Sequence, residues 1–292
     1  LKRTIQNTIV PFNSPFNSPF NFHFYSHFIF QFSMLRLKDT PIVESKEQLA
    51  HIPEGKVLIN TINAHSYNVA QKDDAFAEAL RGGDYLIPDG ASILKACRWL
   101  KAKSLPKERI AGWDLFSFEM NRLESYWPLA IGHWQPANSQ QPTAKVMFLG
   151  SSEKVLALIR GRAAIDYPNL EVVTYSPPYK PEFSEEDNQA MVQAINDANP
   201  DLLWIGMTAP KQEKWAYQHW GELDIHCHCG TIGAVFDFYA GTARRAPQWW
   251  QEHSLEWLYR LMKEPKRMWR RYVIGNPLFL WNILKERIQT KR

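Results

Sequence analysis

The sequence predicts an α/β fold: a doubly wound, mostly parallel sheet followed by a helical, basic and aromatic C-terminal appendage. Three observations predict it. Short β-branched runs alternate with stretches whose apolar residues recur at helical spacing. Polar clusters follow one predicted strand after another, and cations and tryptophans gather beyond residue 243. Strands separated by helices favour parallel βαβ units with right-handed crossovers, whose ligands bind beyond the carboxyl ends of the strands.

Along the chain, Lys56-Val57-Leu58-Ile59-Asn60-Thr61-Ile62 reads as the first strand. Residues 66–80 carry Val69, Ala70, Phe76 and Leu80 at helical spacing, and Gly82-Gly83 stops that helix. Tyr85-Leu86-Ile87-Pro88 is a short strand before Asp89-Gly90, and residues 91–102 form a helix. Residues 145–149 form a strand that ends in Gly150-Ser151-Ser152, with a helix from Val155. Further strands are expected at 171–175, 201–206 and 225–229, with helices at 188–198 and 212–220. The Pro/Asn/Gln-rich stretch 134–143 reads as a surface loop.

Composition narrows the class. The chain has 292 residues, of which 45% are hydrophobic and 22% charged. These are globular values, unlike those of disordered, collagenous or coiled-coil chains. Cys97, Cys227 and Cys229 are too few for a disulfide scaffold and suit a reducing compartment. Net charge is only +4, which by itself does not imply nucleic-acid binding. From Arg244 onward there are 12 Lys and Arg against 4 Asp and Glu, which leaves residues 1–243 net acidic. An acidic body with a basic tail points to an anionic partner at the C-terminal end.

Residues 1–33 differ from the rest. They hold the repeat FNSPFNSPFN, 8 of the 16 phenylalanines and no acidic residue. No apolar run there reaches the roughly 18 residues of a membrane span, and Pro, Asn and His interrupt any signal-peptide core. The expectation is an extension upstream of a native start at Met34, with a loose aromatic membrane-associating arm as the alternative. The remaining boundaries fall at 34–243 for the α/β domain and 244–292 for the appendage.

Chemistry-bearing clusters sit at the predicted strand exits: Thr61-Ile62-Asn63-Ala64-His65, Pro88-Asp89-Gly90, Gly206 through Pro210-Lys211-Gln212-Glu213, and Gly230-Thr231-Ile232-Gly233 before Asp237 and Gly241. Glu108-Arg109 with Gly112 and Asp114 lies between them. Each has an ordinary reading: Asp89-Gly90 as a turn, Arg109 and Asp114 as an ion pair, Gln212-Glu213 as a helix start with its acid near the positive dipole end. Together they favour a site for an anionic, polyhydroxylated ligand. Gly150-Ser151-Ser152 exposes backbone N–H groups at a helix start, which suits phosphate. The chain lacks G-x-G-x-x-G, a P-loop lysine and a D-x-D motif, so a dinucleotide fingerprint, a Walker ATPase and a carboxylate-held metal are unsupported. His226-Cys227-His228-Cys229 on one strand would alternate faces and could not converge on one ion.

The tail interleaves cations with five of the 12 tryptophans. That mix suits an interfacial helix, with indoles at headgroup depth and Arg and Lys on anionic phosphates. Packing of the same aromatic face onto the domain is an equal alternative. Nucleic-acid binding ranks third, because the remaining surface is net acidic.

In order and spacing the clusters resemble the bacterial WecG/TagA/CpsF glycosyltransferases (family 26). The stretches that carry the resemblance are Thr61-Ile62-Asn63-Ala64-His65, Pro88-Asp89-Gly90, Glu108-Arg109 with Gly112 and Asp114, Phe148-Leu149-Gly150, Pro210-Lys211-Gln212-Glu213, Gly233-Ala234-Val235-Phe236-Asp237, Gly241, Arg245-Ala246-Pro247, Leu255-Glu256-Trp257-Leu258-Tyr259-Arg260-Leu261, Glu264-Pro265 and Arg270-Arg271-Tyr272. It covers about residues 56–280. Gly150-Ser151-Ser152, Met207-Thr208-Ala209 and Cys229-Gly230-Thr231-Ile232-Gly233 depart from the family's glycine-richer loops, which bears on donor-sugar identity.

The resemblance implies a Rossmann-like sheet and a metal-independent, inverting enzyme without cofactor. It would move a hexose-type sugar (N-acetylmannosamine, its uronic acid, or a glucose-like sugar) from a UDP-sugar to a polyprenyl-diphosphate-linked sugar in cell-surface polysaccharide synthesis. The protein would then sit in the bacterial cytoplasm, peripheral on the inner face of the membrane and docked through residues 244–292. A homo-oligomer could shield such a tail until membrane contact. Asp89 is the expected base, Thr61 a hydrogen-bonding neighbour, and Arg109 the cation within the domain for the leaving diphosphate. Arg244, Arg245 and Arg260 are the tail's candidates for the same charge. Asn63, His65, Gly150, Ser151, Lys211, Gln212, Glu213, Gly233 and Asp237 complete the expected substrate contacts. The alternative is a non-catalytic, membrane-peripheral protein that binds nucleotide sugars or acts as a scaffold.

Overall fold

Strand β1 (Val57–Ile62) sets the frame of the computed structural model, which describes residues 34–130 and 143–290. Its alternate residues face opposite layers: Val57 and Ile59 join one core cluster and Leu58 another. Five strands pair parallel beyond it: β2 (Tyr85–Pro88), β3 (Ala144–Gly150), β4 (Leu170–Tyr175), β5 (Leu202–Gly206) and β6 (His228–Thr231), in the order β2-β1-β6-β5-β3-β4. All pairings are parallel, so every carboxyl end lies along one edge. The doubly wound α/β fold is as the sequence predicts.

One face, with Val146, Phe148, Leu202 and Trp204, packs on α4 (Gly112–Ala130), α5 (Glu153–Asp166) and α8 (Val235–Tyr239). The other, with Met147, Leu149, Leu203 and Ile205, packs on α6 (Glu185–Ala198) and α7 (Lys211–Gln218). A third cluster joins Ile62 and Leu86 to α1 (Ala64–Ala70), α2 (Asp74–Gly82) and α3 (Ala91–Leu100). Gly150 (φ +121°) lets β3 approach β5, because a Cβ there would stand 2.4 Å from the Gly206 carbonyl oxygen.

Three elements differ from expectation. The single helix expected over 66–80 is two, because the Asp73 side chain accepts the Phe76 N–H at 3.0 Å and caps a new start. The last strand begins at His228 rather than Ile225. Neighbouring β1 and β5 first pair with it at His228, and the residue before it, Cys227, engages β1 only by accepting the Val57 N–H at 3.3 Å. Only His228 and Cys229 of the His/Cys run are therefore on a strand. His228 instead holds the buried Glu119 at 2.9 Å, and no three His, Cys, Asp or Glu among the described residues gather to hold a metal. Helix α4 has no counterpart in the sequence expectation. Its apolar residues Leu115, Phe116, Met120 and Leu123 are buried against the sheet.

The C-terminal segment runs through α9 (Gln248–Glu252), α10 (Glu256–Lys263), α11 (Pro265–Trp269), a π-helical turn (Arg270–Ile274) and α12 (Gly275–Gln289). Its last helix is not a separate body. Phe279 and Ile283 enter the cluster of α1 and α3. Glu286 is buried, accepting the Tyr67 O–H at 2.6 Å and the Lys38 N–H at 2.8 Å. Asn68 donates to the Gly275 carbonyl at 2.7 Å. Phe279, Ile283 and the buried polar residue Glu286 thus make the α12 side of the seam, while Trp249, Trp257, Trp269 and Trp281 remain exposed. No helix among the described residues is long and apolar enough to cross a membrane. The extension expected over 1–33 and most of the loop expected over 134–143 lie outside the described residues.

Candidate active site

Asp89 follows edge strand β2, where its N–H donates to the Ile62 carbonyl at 2.8 Å. Gly90, at φ +142°, then turns the chain into α3, a conformation only glycine adopts readily. The neighbouring Pro88 carbonyl accepts the Ile110 N–H at 3.0 Å, which fastens the Arg109 segment beside the same strand exit. Asn63 caps α1 by accepting the His65 and Ser66 N–H groups, both at 3.0 Å. Its carbonyl oxygen is thereby committed to the helix, and its amide N–H groups are left for other partners. These elements meet the C-terminal segment around a cavity of about 490 Å³, which gathers Asn63, His65, Asp89, Arg109, Arg260 and Arg271.

The site is electrostatically tense. Burial raises the Asp89 carboxyl above the ordinary carboxylate range, and Glu256 pushes it the same way, while Arg109, Arg271 and Arg260 oppose the rise. Burial, aided by the charge of Arg271, lowers His65 to about 4, so its imidazole is neutral near pH 7. Arg109 holds Glu256 of α10 at 2.8 Å. Arg271 sits in the π-helical turn with its buried Nε lacking a partner among the described residues. A carboxyl among three guanidinium groups can accept a proton while the cations meet developing negative charge.

The other expected residues divide. Thr61 is half-buried near the end of β1 and does not line the cavity. Gly150, Ser151, Lys211, Gln212, Glu213, Gly233 and Asp237 lie along the β3–β5–β6 part of the carboxyl edge, outside the cavity. Gln212 is clamped there: its oxygen accepts the Met207 N–H at 3.1 Å, and its nitrogen donates to Glu213 at 2.8 Å. Glu213 is buried, its second oxygen lacks a partner among the described residues, and burial pushes its carboxyl up to about 7. Asp237 accepts the Thr242 hydroxyl at 3.2 Å. Lys211 turns away to the Lys180 carbonyl. Arg245 stacks over Trp113 and Arg244 is exposed. The ion pair considered for Arg109 with Asp114 is not formed, because Asp114 takes the Ala111 N–H at 2.8 Å and Lys46 at 3.1 Å.

The structure adds Arg271, Glu256 and Lys95 to the cavity. The first two lie in the Arg-Arg-Tyr and Leu-Glu-Trp strings, a signal that pointed to the family without assigning roles. Lys95 carried no such signal.

The sequence pattern of the Glycosyl transferase WecG/TagA/CpsF family matches residues 29–292. The chain belongs to this family. Among WecG/TagA/CpsF relatives, a Bacillus subtilis (strain 168) protein is 26% identical over 229 residues, 78% of this chain and 79% of the relative. A Staphylococcus aureus (strain MW2) protein is 27% identical over 247 residues, 85% of this chain and 87% of its own length. Both are named N-acetylglucosaminyldiphosphoundecaprenol N-acetyl-beta-D-mannosaminyltransferase. Asp89, Arg109, Arg260 and Arg271, dispersed over 183 positions of the sequence, share the one cavity described above.

Proposed function

We propose that this protein transfers a hexosamine-type sugar from a UDP-sugar to a polyprenyl-diphosphate-linked sugar, with inversion to a β linkage and without a metal ion. The observation that carries the reading is the shielded Asp89 carboxyl set among Arg109, Arg260 and Arg271. The two relatives named above, both acting on a diphosphoundecaprenol-linked sugar, support the acceptor class.

The acceptor hydroxyl attacks the anomeric carbon of the donor from the face opposite the nucleotide. Asp89 takes the hydroxyl proton as the new C–O bond forms. The bond from the anomeric carbon to the diphosphate oxygen breaks, and UDP departs with that electron pair. Arginine suits this departure, since its planar fork binds phosphate bidentately and stays charged at any working pH. Neutral His65 and the Asn63 amide are placed to meet sugar hydroxyls. The membrane-facing groups are the exposed tryptophans and cations of residues 244–290, which suit the cytoplasmic leaflet.

The test is UDP release and product mass on mixing UDP-hexosamines with a GlcNAc-diphosphate-prenyl acceptor, with and without EDTA. Transfer that survives EDTA is expected. Nucleotide-sugar binding without product would favour a non-catalytic role, and turnover that required added manganese would remove the arginine-only account.

A further inference from the structure

Two helical stripes enclose the outer part of the cavity. On α3 the lining residues Ser92, Lys95 and Trp99 fall at i, i+3 and i+7, and on α12 Asn276, Leu280 and Ile283 fall at i, i+4 and i+7. Each stripe changes from polar to apolar along the chain. Because α3 starts beside Asp89 and rises about 1.5 Å per residue, Trp99 stands roughly 10 Å beyond Ser92. Lys95 lies between them.

The apolar wall is open to the surface. Trp99 is 45% and Leu280 66% exposed. The stripe continues outward along α12 through Leu284 and Ile288, both exposed. At its rim the Arg287 guanidinium lies 4.5 Å over the Trp99 ring and ties α12 to α3. An exposed apolar strip that runs into a cationic pocket is a surface for an amphiphile.

We propose that this wall receives the first isoprenoid units of the acceptor, with Lys95 meeting the acceptor's diphosphate. The inference rests on the proposed function above and adds to it a place for the lipid. Its support is order and charge. A sugar hydroxyl, a diphosphate and a hydrocarbon chain follow one another in the acceptor as Asp89, Lys95 and Trp99 follow one another along the cavity.

The test compares two acceptors in the full chain, GlcNAc-diphosphate-farnesyl and GlcNAc-diphosphate-propyl. The farnesyl compound is expected to show kcat/KM at least about tenfold higher, equivalent to about 1.4 kcal/mol. The Trp99→Ala/Leu280→Ser double substitution is expected to remove most of that advantage. Equal kcat/KM for the two acceptors, or an advantage that survives the double substitution, overturns the groove. Transfer to neither acceptor overturns the underlying function and the groove with it. Labelling the unsubstituted protein with a benzophenone-bearing farnesyl diphosphate does not depend on variant folding. Adducts are expected within residues 92–99 or 276–288. Adducts elsewhere, or equal labelling by a phospholipid with the same photophore in its acyl chain, would make the wall a general membrane contact and overturn the proposal.

Discussion

Arg109 and Glu256 stand 147 residues apart in sequence and meet at 2.8 Å, joining the β2 exit to the first turn of α10. The Glu256 carboxylate occupies a cation that the leaving diphosphate would need, and it raises the Asp89 carboxyl. Asp89 must be ionised to act as a base, so activity should rise with pH through a range above that of ordinary carboxylates. Glu256→Gln removes a charge that opposes ionisation, and it should move the acid limb of the pH–kcat/KM profile to lower pH. Arg109→Gln should move it the other way and cut kcat by roughly 10²–10³-fold, the scale for losing one donor to a developing anion. An acid limb that ignores both substitutions would separate Asp89 from this ion pair.

Asp89→Asn keeps the shape of the side chain and removes the proposed base. Transfer should fall roughly 10²–10⁴-fold. UDP affinity by calorimetry should stay within a few fold, because the arginines remain. Full turnover in this variant would place the base elsewhere.

Glu213 makes a prediction about stability rather than turnover. Its carboxyl titrates near 7 in the folded chain and near the ordinary 4.5 unfolded. The folded state therefore holds a proton that the unfolded state has lost between those values, and stability falls as pH rises through that window. The loss is about 3 kcal/mol at about 1.4 kcal/mol per unit. Glu213→Gln should flatten that fall and raise the Tm above the parent's at pH 8, with little change at pH 4. Denaturation curves at both pH values check it.

Truncation at Arg244 would be a poor test of membrane docking, because it strips Phe279 and Ile283 from the core. Phe279→Ala alone should cost roughly 3–5 kcal/mol. Substituting the exposed Trp249, Trp269 and Trp281 by Ala is the better probe. Sedimentation with anionic vesicles should drop several-fold, more so at high salt, with the Tm nearly unchanged. Undiminished sedimentation would assign docking to other residues.

Local pattern alone determined much of this protein. Alternating strand and helix periods specified the doubly wound sheet, since a period of two or of 3.6 residues is written in neighbouring side chains. The Asp89-Gly90 signal marked a strand exit because turn chemistry is also local. A second local signal, the Asp73 cap, divides the helical stretch 66–80 into two helices. Tertiary structure alone decided which polar residues share a cavity. Arg271 shares a cavity with Asp89 because Phe279, Ile283 and Glu286 seat α12 on α1 and α3, and that seat is a matter of packing between segments at least 175 residues apart. The same packing leaves Gln212, Glu213 and Asp237 outside the cavity, although the sequence places them at strand exits too. The field at Asp89 likewise depends on distances to charges from three segments, the Arg109 loop, α10 and the π-helical turn, which no single window of sequence contains.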